Sequence, residues 1–211
     1  MVLALKPLHD VNPVLRVIAS TYQAVTGTGQ AAVTELRAQS IQVLNGEHAD
    51  HEVYPHQIAF SVLPQVEDFG ENSYTAEEMK MQNETRKIMH APDVRISATC
   101  VRVPVVVSHS IAVNVEFSHP ISPGEVSSIL EEAPGVSIVD DPLSGMYPMP
   151  IQAEGQDDTF VGRIRHDIAL DNGIAMWLSC DNLRKGAALN AIQIAEEMLK
   201  RDLVKSRVRR T

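Results

Sequence analysis

The sequence predicts an α/β chain of the α+β kind, with a mixed, largely antiparallel sheet and helices on one face. Two observations carry this. β-branched, apolar runs come in neighbouring pairs, within residues 94–117 and 161–180, and strands adjacent in sequence tend to pair with each other. Helix start and stop signals lie between these runs, and 211 residues are enough to enclose a core.

The elements follow in order. Met1–Leu8 is apolar from its first position and has no polar lead-in, as if a helix were entered midway, so the chain is expected to continue upstream. Val14–Tyr22 reads as a strand running into Gln23 and the turn Thr26-Gly-Thr-Gly29. A helix then extends to Leu44 and is ended by Asn45-Gly46. After the polar segment Glu47–Glu52, residues 57–63 are expected as a short strand closed by Pro64. Thr75-Ala-Glu-Glu78 is a capping box that opens a helix to about Met89, with Pro92 confirming the stop. Strands are expected over 94–107 and 111–117, and a helix from Pro123 to about Ala133. Three more strands follow at 136–139, 161–168 and 173–180. A long helix, 183–203, is capped by Asp181 or Asn182. One domain is thus expected over 1–203, with a basic tail at 204–211.

A net charge of −9 argues against a nucleic-acid surface, which normally has a basic footprint. No apolar stretch approaches the ~20 residues of a membrane helix. The amino terminus lacks signal-peptide features, and two cysteines are too few for a disulfide framework, so a reducing cytoplasmic setting is expected. His48, His51 and His56, with Asp50 and Glu52, imitate a metal site. Pro55 rules out the helical spacing of zinc proteases, so they read as a solvated loop and no metal is expected.

The run Ala98–Ser110 holds Arg102 and His109 at either end of apolar residues. A buried strand avoids charge unless a partner or ligand requires it. Arg102 is suited to fork a carboxylate or phosphate, and His109 to move a proton, while a structural ion pair and a strand-end histidine are the plainer alternative. Seven residues apart on one straight strand, they would face opposite ways. One shared site therefore requires a break, expected between Pro104 and Ser108. Gly27-Thr-Gly-Gln-Ala-Ala32 matches a dinucleotide fingerprint but lacks the βαβ context, so it reads only as close backbone approach at a helix start. Glu77 and Lys80 share a helix face, as ligand contacts or as an ordinary ion pair. Cys100 reads as a buried, inert thiol.

Gathered together, several blocks resemble the second half of the aspartate-β-semialdehyde dehydrogenase family. They are Ser20-Thr-Tyr-Gln-Ala-Val-Thr-Gly-Thr-Gly29, Gln57-Ile-Ala-Phe60, Glu77–Ile88, Thr99-Cys-Val-Arg-Val-Pro104, Ser108-His109 and Asp181–Ala195. The resemblance implies the C-terminal domain of a glyceraldehyde-3-phosphate dehydrogenase-like fold and an NADP-dependent homodimer that interconverts aspartyl phosphate and aspartate semialdehyde. It implies that Gln23 orients the acyl intermediate, Arg102 grips the substrate α-carboxylate, and His109 is the acid/base that activates the thiol. Glu77 would meet the amino group, Lys80 the phosphate, and Thr26, Gly27 and Asn182 the cofactor. The family's nucleophilic cysteine, in an Asn-Cys-Ser/Thr segment, and its glycine fingerprint would lie ahead of residue 1. The chain alone is therefore expected to be inactive, with residues 1–10 and 181–203 packing on an absent nucleotide-binding domain. A non-enzymatic dimerisation module is the rival from another class. A reductase of N-acetyl-glutamyl phosphate is a third reading, and Glu77 speaks against it because an acetylated amine carries no charge.

Overall fold

The computed structural model describes residues 1–203, so the basic tail at 204–211 lies outside the described residues. Six strands form one mixed sheet in the order β2-β1-β3-β6-β5-β4. They are β1 (Val14–Gln23), β2 (Arg95–Arg102), β3 (His109–Phe117), β4 (Val136–Ile138), β5 (Thr159–His166) and β6 (Gly173–Cys180). β1 and β2 are parallel, as are β4 and β5, and the three central pairings are antiparallel. The expected fold class is the one observed.

The strands alternate, and one face of each is apolar. Val17, Ile96, Val113, Val115, Phe117, Ile174 and Met176 point into a core closed by three helices. These are α1 (Val2–Val11), α3 (Ala76–Met89) and α4 (Pro123–Glu131), which contribute Leu5, Leu8, Met89, Val126 and Leu130. None of these three helices covers the opposite sheet face, where Ile18 and Tyr22 stay exposed. Within α1, Ala4, Leu5 and Leu8 are buried against α3, α4 and the sheet.

A second, smaller core lies beyond the end of β1 and β2. There α2 (Gln30–Leu44) packs Val33 and Leu36 against Tyr54, Ile58 and Leu63. Residues 57–63 form no strand here, contrary to expectation. The amides of Ile58 and Ala59 donate to Oε1 of the buried Gln39, at 2.9 and 3.1 Å, and Phe60 sits at φ 57°, which breaks an extended run. Only Leu63 reaches the sheet, in an isolated bridge to Arg102. The expected helix 183–203 is likewise divided. Asp181 caps it by accepting from the amides of Leu183 and Arg184, and a wide helical turn at Arg184–Ala188 precedes α6 (Leu189–Lys200). The remaining short helix, α5 (Pro150–Ala153), lies in the loop before β5.

Candidate active site

Three chemically capable side chains stand at one end of three adjoining strands. Gln23 closes β1, Arg102 closes β2 directly beside it in register, and His109 opens β3. The required break between Arg102 and His109 is present. Arg102 is the last residue of β2, the chain turns through Val103–Val107, and Ser108 takes φ 76° before β3 begins. The turn runs beside the segment after β1, with the amides of Val25 and Thr26 donating to the carbonyls of Val105 and Val106. Val103 donates to the Gln23 carbonyl at 3.0 Å.

The N-terminus of α3 brings Glu77 and Lys80 to the same end. Its capping box forms as expected, and Glu78 does more than cap. One of its oxygens accepts from the Thr75 amide and the other from the Cys100 amide at 2.9 Å, tying the helix start to the outer edge of β2. Glu77 then accepts from Gln23 Nε2 at 3.1 Å and from Lys80 Nζ at 3.2 Å. The neighbouring Glu77 carboxylate holds the Lys80 ammonium above its ordinary pKa.

Arg102 is only 6 % exposed. Its Nη1 donates to the Ala24 carbonyl at 2.8 Å, and its Nε is buried without a partner among the described residues. The ring of Tyr54 lies over the guanidinium, 6.0 Å from its centroid, and the Tyr54 hydroxyl bonds to Thr28 at 2.9 Å. Burial draws the arginine pKa below its ordinary value. His109 Nδ1 accepts from the Ala24 amide at 3.0 Å. Burial, and then the Arg102 charge, push its pKa down to about 4, so it is neutral at physiological pH. Gly27 lies against both residues. A Cβ there would stand 2.9 Å from Arg102 Nη1 and 3.3 Å from His109 Nε2, so any side chain at this position would have to displace the tip of Arg102.

Gln23, Gly27, Glu77, Lys80, Arg102, His109 and Asn182 line one cavity of about 620 Å³. Thr26 borders it through Asn182. The two side chains bond to each other, and Asn182 Oδ1 also accepts from the Ser108 amide at 2.9 Å, supporting that residue's left-handed backbone. The structure thus brings every expected site residue together. Cys100 is fully buried beside Met81, and burial pushes its thiol up to about 11. The loop histidines hold no metal-like cluster among the described residues.

Tyr54 and Thr28 are the residues that sequence reasoning passed over. The 47–56 loop reads as solvated, yet it delivers the aromatic roof of the cavity. The available signal was a tyrosine inside a polar loop of a chain only 4 % aromatic.

The semialdehyde dehydrogenase dimerisation domain matches residues 5–185. The chain belongs to that family. An aspartate-semialdehyde dehydrogenase of Aquifex aeolicus is 49 % identical over 205 residues, which cover 97 % of this chain and 60 % of that protein. Two solved structures of aspartate semialdehyde dehydrogenase II from Vibrio cholerae, one of them complexed with ASA, are both 42 % identical. Their TM-scores are 0.91 and 0.90, over 95 % and 93 % of this chain and 59 % and 58 % of theirs. The chain therefore spans about 60 % of the length of relatives it matches, the share that corresponds to the C-terminal part of the family. The resemblance read from its motifs agrees with this membership in the semialdehyde dehydrogenase family.

Proposed function

We propose that this chain is the substrate-binding and dimerisation part of an NADP-dependent aspartate-semialdehyde dehydrogenase. That oxidoreductase reductively dephosphorylates L-aspartyl 4-phosphate to L-aspartate 4-semialdehyde, reversibly, in the cytoplasmic synthesis of lysine, threonine and methionine. The observation that carries the reading is a buried guanidinium and a carboxylate converging on one cavity beside a neutral imidazole. An α-amino acid presents the complementary pair of charges, its carboxylate to Arg102 and its ammonium to Glu77. Lys80, the most exposed of the set, suits a distal phosphate. Gln23, held by Glu77, presents its amide to the carbonyl between the two ends.

The cavity rim suits a cofactor's nicotinamide end. Gly27 has no side chain to obstruct it, and Asn182 keeps one amide hydrogen beyond its bond to Thr26. Thr26, Gly27 and Asn182 would hold NADP there, and the cofactor when bound supplies the hydride. The nucleophilic thiol is assigned to the part of the longer relatives outside the matched region, so the 211 residues alone turn over no substrate. A homodimer through the uncovered sheet face accompanies the reading, as the family's description as a dimerisation domain supports.

A chimera tests this. Replacing the matched region of the Aquifex aeolicus relative with this chain is expected to give an enzyme that oxidises aspartate semialdehyde only when NADP and phosphate are both supplied. A folded chimera that binds NADP but oxidises no semialdehyde would overturn the proposal.

A further inference from the structure

We infer that Glu78 is a positioning residue for the amino-acid site: it registers α3 on the edge of the sheet, so that Glu77 stands at the spacing from Arg102 that one α-amino acid spans. β2 is an edge strand, and an edge presents main-chain groups that need partners. Side chains of α3 supply several of them. The Glu78 carboxylate accepts from the Cys100 amide at 2.9 Å. Gln82 Nε2 donates to the Ile96 carbonyl at 2.9 Å, and Arg86 Nε donates to the Val94 carbonyl at 2.9 Å. The three residues follow one another at four-residue steps along α3, so they share one helix face and form a ladder of rungs along the strand.

Glu78 is the rung nearest the cavity, and it is buried with both oxygens committed. One accepts from the Cys100 amide, and the other accepts from the Thr75 amide at 2.8 Å. A single carboxylate thus ties the start of α3 to its own cap and to β2 at once. Glu77 is the residue before it, and Arg102 lies two residues beyond Cys100. Anion and cation are therefore linked through three peptide bonds and one hydrogen bond. A helix rises 1.5 Å per residue, so a slip of α3 by one position would carry Glu77 about that far from its place. The ammonium and carboxylate of an α-amino acid share one carbon and cannot follow such a slip. That consequence for the ligand rests on the function proposed above. A slip would also break a contact that needs no ligand, the 3.1 Å bond from Gln23 Nε2 on β1 to Glu77.

Glu78→Gln keeps the size of the side chain but leaves one acceptor oxygen for two amide donors. Calorimetry of the chain with O-phospho-L-homoserine and with its N-acetyl form measures how strongly the ammonium is read. The preference of the parent for the free amine, expected at about tenfold or more, should fall below about threefold in Glu78→Gln. Val126→Ala, which trims the buried core under α4, should lower Tm and leave the preference intact. Glu78→Asp, with its charge and both oxygens but one methylene too short, takes the same test should Glu78→Gln fail to fold. An unchanged preference in the Glu78 variant, or an equal loss in Val126→Ala, would overturn the inference. A parent that shows no preference would instead refute the proposed function, and the rung is then read without ligand. The Gln23 side-chain amide, identified by its absence in Gln23→Glu, is expected to shift in ¹⁵N-correlated spectra of the Glu78 variant and to stay in place in Val126→Ala. A Gln23 resonance that does not move in the Glu78 variant would overturn the inference whether or not ligand binds.

Discussion

Arg102 and His109 are both held by the Ala24 peptide, one through its carbonyl and the other through its amide. That pairing has a consequence for stability. In the unfolded chain the imidazole titrates at its ordinary 6.5, and in the folded chain at about 4. Between those values the unfolded state binds more protons, so the fold gains stability as pH rises through the window and loses it as pH falls. Urea unfolding at steps from pH 7 to pH 4 is therefore expected to show a steeper acid loss for the parent than for His109→Gln. Parallel curves would contradict the assigned burial. The residue types of the site were legible in the sequence because charge on a β-branched run is costly and has to be explained. Their contacts were not. The Ala24 peptide leaves no trace in composition or spacing, since it is main chain, and the Tyr54 roof leaves only a lone aromatic in a polar loop that packs in the fold.

At the scale of elements, α2 acts as a clamp. Glu35 accepts from the amides of Glu52 and Val53 at 2.6 Å, and one turn later Gln39 accepts from Ile58 and Ala59 and donates to the Asp50 carbonyl at 2.9 Å. Gln39 supplies the hydrogen bonds that a strand would otherwise give Ile58 and Ala59, which is why alternation alone misassigned that stretch. Gln39→Leu leaves the buried amides of Ile58 and Ala59 unpaired, and frees the part-buried Asp50 carbonyl, and should destabilise by about 3 kcal/mol, with faster hydrogen exchange over 48–60. A change under about 0.5 kcal/mol, the size of a neutral surface substitution, would contradict the clamp. Helices with explicit caps were read well. Thr75 with Glu78 forms the expected box, and Asp181 is the cap of the last helical segment. The wide turn at 184–188 was hidden because Arg184, Lys185, Ala187 and Ala188 are good helix formers and the single Gly186 between them does not by itself specify a wider turn.

Across the whole molecule, one sheet face is sealed by α1, α3 and α4, and the other shows Ile18, Tyr22 and the edge of Trp177. α6 adds a second apolar surface at Ile192, Ile194 and Leu199. The strand pattern made the mixed sheet readable, but parallel pairing of β1 with β2 and of β4 with β5 depends on long-range order that periodicity does not encode. If the uncovered sheet face is the dimer surface, sedimentation at micromolar concentration should give a dimer that Ile18→Glu splits and Ile194→Glu leaves intact. The reverse pattern would move the interface to α6.

The central claim is that this cavity reads an α-amino acid by its two charges. O-phospho-L-homoserine, a stable analogue with the phosphate at the same distance from Cα, titrated into the chain by calorimetry tests it most directly. The expected result is measurable binding that weakens at least about tenfold, some 1.4 kcal/mol, when the ligand is N-acetylated. Arg102→Lys should weaken it similarly, because a point charge cannot replace the fork that is anchored on Ala24. Equal binding of the free and acetylated ligands, or an Arg102→Lys variant that binds as the parent does, would contradict the account.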